Sequence, residues 1–134
     1  MNEQEGQRVV AIHDPIHGQM ELSSYQLELL RTPHFQRLTR LKQLGPCYVV
    51  YPGATHTRAE HCLGVAHLAR CLIQSLKRHQ RYLDIDERDE RLLVLAAQAH
   101  YLGHGAFSHA FEGWLHSGGG GGECVRLHQA NEAP

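Results

Sequence analysis

Three histidines lie close together in the stretch AHYLGHGAFSHAF, at positions His100, His104 and His109. In a helix, His100 and His104 are four residues apart on one face, and His61 lies in the first turn of another predicted helix. Two helices could thus direct imidazoles, which are common transition-metal ligands, at one point. Glycines near His109 permit close approach of the backbone to an anion, and Arg58 supplies a guanidinium suited to phosphate oxygens. The pattern indicates metal-assisted attack on a phosphate ester.

A simpler interpretation of the same residues is also open. A histidine on a helical face is more often an ordinary core or surface residue than a metal ligand, and spacing alone does not separate the two. Arg58, next to the predicted N-cap at Thr57, is on its own better explained as a surface or N-terminal charge. The histidines therefore define a candidate site and do not by themselves prove one.

Composition limits the function classes. The chain has 134 residues, 13 Lys and Arg against 14 Asp and Glu, and a formal charge of -1, so its overall field does not attract nucleic acid or anionic membranes. A nucleic-acid-binding role would rest on the local cluster of Arg37, Arg40 and Lys42 and is a minor alternative. No run of eighteen apolar residues occurs, so no membrane span is predicted.

The four cysteines indicate a reducing compartment. Cys47, Cys62, Cys71 and Cys124 form no C-x-x-C pair, and the N-terminal residues MNEQEGQR show no targeting character. We therefore expect an intracellular protein, cytoplasmic or nuclear. Cys62 and Cys71 are expected to be small buried residues.

The first half of the chain predicts a hairpin and two short helices. Runs at 9–12 and 19–22 flank the turn residues DPIHG, and Ser23 with Gln26 forms a capping box. Thr32 and Pro33 start a second helix. An apolar stripe then recurs at every third residue up to Gly45, and CYVVYPG predicts a brief extended run. The stripe consists of Phe35, Leu38, Leu41 and Leu44.

Two longer helices follow. Thr57 and Glu60 form a capping box that opens a helix to about Arg81. Asp86 opens another, which ends near Gly103. A last short helix is predicted over 106–115. The expected buried face of the first of these helices consists of Val65, Leu68, Leu72 and Leu76.

These elements predict an all-α fold with a small N-terminal β-hairpin. We expect a disordered N-terminus over 1–8, one folded unit over 9–116, and a flexible tail over 117–134 that begins with five consecutive glycines after Ser117.

Four ordered motifs carry a resemblance to a known family. DPIHGQMEL, TPHFQRLTRLKQLG, YPGATHTRAEHCLGVAHLA and AHYLGHGAFSHAFEGWL closely resemble the start of the HD domain in the sterile-alpha-motif and HD-domain deoxynucleoside triphosphate triphosphohydrolases. The resemblance implies an incomplete HD-domain helical fold. It also implies a metal-dependent hydrolase that cleaves a dNTP, including dGTP, to a deoxynucleoside and triphosphate.

The resemblance also implies residue roles. The family's first metal histidine falls on His61, and the histidine of its His-Asp pair falls on His100. His104 and His109 would be catalytic residues beside the substrate phosphates, which Arg58 would also contact. Gln43 and Leu44 would border the deoxyribose. A divalent transition metal or Mg²⁺ is the implied cofactor, and dNTPs are the implied partners.

Tyr101 stands where the family has the metal-binding aspartate of the pair. A phenol with a pKa near 10 is a poor substitute for a carboxylate, because it brings neither the charge nor the size that the site needs. The family's later metal aspartate has no matching motif in this chain. We therefore expect metal binding to be weak and catalysis to be impaired.

The family's regulatory nucleotide pocket is only partly matched. Gln36, Val50 and Tyr51 match it, and the resemblance implies GTP or dNTP activators between subunits of an oligomer. Four of its positions differ, so we expect weak activation. These positions are occupied here by Val10, Arg31, Thr39 and Ala59.

Three hypotheses follow for this chain. It is an active triphosphohydrolase, or an impaired relative that binds nucleotide or joins full-length subunits, or a fragment that does not fold stably alone because its apolar faces are exposed. The missing ligands favour the second and third hypotheses over the first.

Overall fold

The protein is mostly helical, with one small hairpin at its N-terminal end. The structure is a computed structural model that describes residues 9–105 together with Phe107, Gly113, Trp114 and His116. The predicted fold class is confirmed. The elements are β1 (Val10–Asp14), β2 (Gly18–Leu22), α1 (Ser24–Leu30), α2 (Pro33–Leu38), a 3₁₀ helix (Gly45–Val49), α3 (Arg58–His79) and α4 (Glu87–Ala99).

The predicted hairpin is present. β1 and β2 pair antiparallel in a register from Val10 opposite Leu22 to Asp14 opposite Gly18. The Asp14 carboxylate accepts hydrogen bonds from the next two turn amides, of Ile16 and His17, each at 2.8 Å. Gly18 has a φ of 71°, which a residue with a side chain rarely adopts. The turn chemistry of DPIHG therefore fixes the hairpin.

Helix α2 starts as predicted but is shorter than expected. The Thr32 hydroxyl accepts a hydrogen bond from the Phe35 amide at 3.2 Å, and Pro33 occupies the first helical position. The helix ends at Leu38, so Leu41 and Leu44 are not part of it. A strict three-residue repeat drifts by about 60° per step around a helix of 3.6 residues per turn, so such a stripe cannot remain on one helical face.

The extended run predicted at CYVVYPG is wrong. Its first three residues are the end of the 3₁₀ helix Gly45–Val49, and the residues that follow form turns. A strand needs a hydrogen-bonding partner, and the segment does not pair with the hairpin, whose sheet has two strands. Backbone bonds at Lys42 and Thr57 instead form an isolated bridge just outside this segment.

Helix α3 begins at Arg58 as predicted and ends at His79, two residues earlier than expected. Its buried face differs from the prediction: Leu68 and Leu72 are 55% and 58% exposed. Small residues occupy the interior instead, because they let neighbouring elements approach closely. The buried apolar residues of α3 are Ala59, Cys62, Ala66 and Ile73. Cys62 is thus buried as expected, whereas the expected burial of Cys71 is wrong, because its side chain is exposed.

Helix α4 is capped by Asp86 as predicted, whose carboxylate accepts a hydrogen bond from the Asp89 amide at 2.8 Å. It ends at Ala99, four residues before Gly103. The chain then tightens into three-residue turns, with the Leu102 amide donating to the Ala99 carbonyl at 2.9 Å. His100 and His104 therefore do not lie on one helical face, which corrects the prediction.

Long-range contacts hold the N-terminal elements on the α3 and α4 pair. Phe35 and Leu38 of α2 pack with Ala59 and Cys62 of α3 in a fully buried cluster. Gln98 of α4 is buried, and its side-chain amide donates a hydrogen bond to the backbone carbonyl of Gln26 in α1 at 3.0 Å. The interior thus lies where α1 and α2 meet the two longer helices.

Several predictions fall outside the described residues. These are the segment 1–8, most of the helix predicted over 106–115 and the tail 117–134. Among the described helices, none has both the length and the apolar character needed to cross a bilayer.

Candidate functional site

The start of α3 places two of the predicted site residues. The Thr57 hydroxyl accepts a hydrogen bond from the Glu60 amide at 3.3 Å, and the Glu60 carboxylate accepts one from the Thr57 amide. These bonds hold the pKa of Glu60 below its usual value, with Thr57 the main cause. The capping box fixes the first turn, which carries Arg58 at its first position and His61 at its fourth. Arg58 is only 3% exposed, so it is not the surface charge that the simpler interpretation expected.

The end of α4 brings His100 to the same place. His100 Nδ1 lies 2.6 Å from the Ala97 carbonyl oxygen, to which it donates, and this leaves His100 Nε2 free to face His61. The two Nε2 atoms are 3.3 Å apart. Two nitrogen ligands of a tetrahedral Zn²⁺ at about 2.0–2.1 Å from the metal are themselves about 3.3–3.4 Å apart. The structure therefore brings the two imidazoles together, at a spacing that is also found between two metal ligands, although His100 caps the helix.

Tyr101 lies at the centre of the site. The centroid of its ring is 5.2 Å from that of His61 and 4.4 Å from those of His100 and His104. The Arg58 guanidinium carbon lies 4.8 Å from the ring centroid, a cation–π distance. The Tyr101 phenol therefore packs against each of these four predicted site residues; together the five residues form what we call the histidine cluster.

Gln43 joins the histidine cluster through a hydrogen bond. Its side-chain amide Nε2 donates to the Tyr101 hydroxyl at 3.3 Å. The backbone bond from the Gln43 amide to the His56 carbonyl, at 3.0 Å, holds this residue next to the start of α3. Leu44 follows it and is 48% exposed. The structure thus places Gln43 against the cluster.

The remaining predicted residues lie elsewhere or outside the described residues. His109 is outside them. Gln36 is exposed, and its side chain donates to the Leu30 carbonyl at 2.8 Å. Val50 and Tyr51, just after the 3₁₀ helix, are 73% and 68% exposed. No hydrogen bond within the described residues joins Gln36 to these two side chains.

Sequence reasoning missed one residue that positions the cluster. Arg37 Nη1 donates to the His104 carbonyl at 3.0 Å and so ties the turn after α4 to α2. The sequence indicated only that Arg37 belongs to a local cationic cluster with Arg40 and Lys42. The two residues are 67 positions apart, and nothing in the local spacing indicates their contact.

Burial and neighbouring cations both act on His61. Desolvation is the main cause that lowers the pKa of His61, followed by His100, His56 and Arg58. The neutral imidazole, which is the form that can bind a metal, is therefore favoured. Burial likewise raises the pKa of the neighbouring Cys62 thiol to about 11.

The described residues do not fit a catalytic metal. A catalytic zinc site generally uses three protein ligands, and the described part of the chain contains no group of three His, Cys, Asp or Glu side chains that could hold an ion. The third place next to His61 and His100 is filled by an aromatic ring whose hydroxyl pairs with Gln43. The arrangement therefore supplies two nitrogen ligands and a phenol in place of a carboxylate.

Comparison with known proteins identifies the domain. The family model for the HD domain matches residues 58–123. The chain is 50% identical over 101 residues, 75% of its length, to the deoxynucleoside triphosphate triphosphohydrolase SAMHD1 of Gallus gallus, and 49% identical over 115 residues, 80% of its length, to that of Homo sapiens. It is 47% identical over 109 residues, 81% of its length, to the SAMHD1 homolog of Dictyostelium discoideum. The matched regions cover 16%, 18% and 21% of these relatives, so the chain spans about a fifth of their length or less.

Proposed function

Because this chain belongs to the HD-domain family of deoxynucleoside triphosphate triphosphohydrolases and carries part of that domain, we propose that it is a triphosphohydrolase-like protein whose catalysis is impaired. The observation that carries the proposal is the position of Tyr101, whose ring packs against three imidazoles where the family pattern has a carboxylate. The folded unit is 9–116 in this proposal, with tails at 1–8 and 117–134.

The proposed ligands are deoxynucleoside triphosphates. Arg58 has the charge to meet a phosphate group, and His104 and His109 are the proposed catalytic residues beside it. Gln43 and Leu44 are proposed to face the deoxyribose, and His61 and His100 are the proposed remnant of the metal site. We place this binding in the cytoplasm or nucleus.

Tyr101 works against catalysis in two ways. It removes an anionic ligand, so a divalent cation next to His61 and His100 would lack charge compensation. Its hydroxyl also takes the side-chain hydrogen bond of Gln43, which a sugar hydroxyl would otherwise be offered. Both effects come from the single residue at position 101.

The test is the metal content and dGTP hydrolysis of the unmodified chain and of Tyr101→Asp. We expect well under one metal per chain and no triphosphate release from the unmodified protein, and a clear rise in bound Mn²⁺ or Zn²⁺ for Tyr101→Asp, since a carboxylate then completes three ligands. Tyr82→Asp is the matched control, because Tyr82 is 82% exposed and lies far along the chain from the cluster. One metal per chain with turnover in the unmodified protein contradicts the proposal, as does a Tyr101→Asp variant that stays free of metal.

A second candidate function is that of a non-catalytic subunit that joins full-length relatives. The observation that favours it is a run of exposed apolar side chains around the 3₁₀ helix, where Val49, Val50 and Tyr51 are 68% to 74% exposed. In this proposal, Gln36, Val50 and Tyr51 also belong to a degraded site for GTP or dNTP activators. Sedimentation of the chain mixed with a full-length relative tests this role: a mixed species supports it, and independent sedimentation contradicts it.

A further inference from the structure

One apolar stripe of α3 is left largely uncovered by the described part of the chain. It consists of Val65, Leu68, Leu72 and Leu76, the residues that the sequence predicted to be buried, and two of its leucines are more than half exposed. We propose that a second copy of this chain covers the stripe, in a two-fold symmetric pair whose α3 helices run antiparallel. This pairing goes beyond the proposed function, because it requires neither a nucleotide nor a full-length relative.

The stripe lies on a different side of α3 from the interior of the chain. Its members recur at intervals of three and four residues, so they share one side of the helix. The interior contacts another side, where Ala66 and Ile73 are buried. Folding of a single chain thus buries one apolar side of α3 and leaves the other exposed to water, where a second copy can cover it.

The charges of α3 suit a copy that runs in the opposite direction. Glu60 is exposed in the first turn, and Arg78 is exposed in the last turn. Eighteen residues, or about five helical turns, separate the two, so they lie on the same flank of the stripe. In an antiparallel pair related by a two-fold axis, equal flanks face each other, so Glu60 of each copy faces Arg78 of the other. A parallel pair would instead place like charges together.

One position of the two-fold axis pairs both the leucines and the charges. An axis level with residue 70 puts Leu68 of each copy opposite Leu72 of the other. At about 1.5 Å per residue, Glu60 lies about 15 Å from this axis along the helix and Arg78 about 12 Å. The two charges therefore come within about 3 Å of each other along the helix direction, an offset that an arginine side chain can span.

Both charged groups have atoms left for this contact. Arg78 Nε donates to the Gln74 carbonyl at 3.2 Å, and its Nη atoms have no hydrogen-bond partner among the described residues. One Glu60 carboxylate oxygen accepts from the Thr57 amide, which leaves the other oxygen for a second donor. Lys42 and His56 of the same chain also act on Glu60, so we expect the intermolecular charge pair to contribute modestly and the leucines to contribute most.

The hairpin turn borders the stripe on the same flank. An added Cβ on Gly64 would meet His17 Nε2 at 3.0 Å, so the turn lies directly against α3 at this glycine. The neighbouring Ile16 is 85% exposed. In the register above, Gly64 lies opposite Leu76 of the second copy. The turn therefore adds an apolar side chain at the border of the paired surface.

The pair should be weak and reversible. A single narrow helix face buries less than the roughly 1,200 Å² at which stable protein interfaces begin. We therefore expect a pair that forms at high micromolar concentration and dissociates at the low micromolar concentrations of an unfolding experiment.

Sedimentation equilibrium of the full chain over a range of concentrations, in EDTA and a reducing agent, tests the pairing. We expect a reversible equilibrium between monomer and dimer. Leu72→Ser should weaken it by at least about tenfold, because the two-fold axis doubles the loss from each change. Leu92→Ser is the matched control, because Leu92 is 54% exposed but lies on α4, and it should leave the dissociation constant unchanged. Circular dichroism confirms that each variant folds.

The charges test the antiparallel direction. Glu60→Gln keeps the capping box, in which glutamine serves as well, and Arg78→Gln removes the opposite charge. Each should weaken the pair by about twofold to tenfold, and the double variant should be no weaker than either single one, because both changes remove the same contact. Arg88→Gln, at an exposed position of α4, is the control for these variants.

Three results would overturn the proposal. The first is a monomer at every concentration, whether the tail or another protein covers the stripe. The second is an equal effect of Leu72→Ser and Leu92→Ser, which would place the contact elsewhere. The third is an additive loss in the double charge variant, which would exclude the antiparallel contact. This chain is the only protein in the experiment, so its failure is distinct from failure of the metal test or of the test with a full-length relative.

Discussion

Arg70 of α3 holds the N-terminal elements on the helical pair, and its removal gives a defined loss of stability. Its Nη1 donates to the Glu21 carbonyl at 2.6 Å, at the end of the hairpin. Its Nη2 donates to the Ser23 hydroxyl at 2.9 Å, to the Gln26 side-chain carbonyl, and more weakly to the Tyr25 hydroxyl at 3.3 Å. One guanidinium thus joins three successive parts of the chain to α3.

The expected cost of Arg70→Ala follows from this geometry. A hydrogen bond with a charged donor contributes about 1.5–3 kcal/mol, but this side chain is only partly buried, so water replaces some of the lost bonds. The bonds to Ser23 and Gln26 are part-buried, whereas the bond to the Glu21 carbonyl is exposed to water. We therefore expect a loss of about 2–3 kcal/mol in the free energy of unfolding, which is a large share of the stability of a small domain.

Urea unfolding followed by circular dichroism measures this loss. With a slope of about 1–3 kcal/mol per molar urea, a loss of this size lowers the midpoint by about 0.7–3 M. Arg78→Ala is the matched control, because Arg78 is exposed and its Nε donates to the Gln74 carbonyl of its own helix at 3.2 Å. Arg70→Lys should recover less than half of the loss, since an ammonium does not reproduce the fork of donors. Equal midpoints for Arg70→Ala and Arg78→Ala would refute the reasoning.

Three further predictions concern α3. Ile73→Ala should destabilise the protein by about 2–4 kcal/mol, because Ile73 is only 5% exposed, whereas Leu72→Ala at the adjacent exposed position should cost under about 1 kcal/mol. Equal urea midpoints for the two variants would show that the buried face of α3 is assigned incorrectly. In the folded protein at pH 8, iodoacetamide should label the exposed Cys71 and leave Cys62 unlabelled, because burial raises the pKa of the Cys62 thiol to about 11. Peptide mass spectrometry measures the labelling of each cysteine, and rapid labelling of Cys62 would contradict the prediction. The lowered pKa of His61 means that the folded state favours the neutral imidazole, so its contribution to stability is complete above the unfolded pKa of about 6.5 and is lost as pH falls through the lower folded value. The urea midpoint should therefore fall less between pH 7.5 and 5.5 in His61→Gln than in the unmodified protein, and an identical fall would contradict this assignment.

Local signals predicted where the elements start. Thr32, Thr57 and Asp86 each accept the hydrogen bond of a helix N-cap, and each helix begins directly after them. Such bonds join residues three positions apart, so the sequence contains all the information that they need. The ends of helices were less predictable: α2 and α4 both stop earlier than the apolar pattern indicated, where three-residue turns replace the helix.

Packing was harder to predict than the element starts. The leucines at 68 and 72 fit a helical stripe, but the interior selected the small residues Ala59, Cys62 and Ala66. Which stripe faces inward depends on the neighbouring elements, and α3 has apolar residues on more than one side. Composition along one helix does not contain that information.

The candidate site could be predicted only in part from the sequence. The convergence of His61 and His100 was predicted, and the structure places their Nε2 atoms 3.3 Å apart. The contacts of Tyr101 with Gln43 and of His104 with Arg37 join residues 58 and 67 positions apart. No periodic pattern reports pairs at such separations, so these contacts required the three-dimensional arrangement.

The bond between Gln98 and the Gln26 carbonyl has a consequence for how the chain folds. It joins residues 72 positions apart, and the Arg70 contacts span 44 to 49, whereas α3 and α4 are separated by a connection of only a few residues. Closing a short connection costs less chain entropy, so we expect the α3 and α4 pair to form early in the transition state and the hairpin with α1 to dock late. Gln98→Ala should then accelerate unfolding with little effect on the refolding rate, while changes between α3 and α4 should slow refolding.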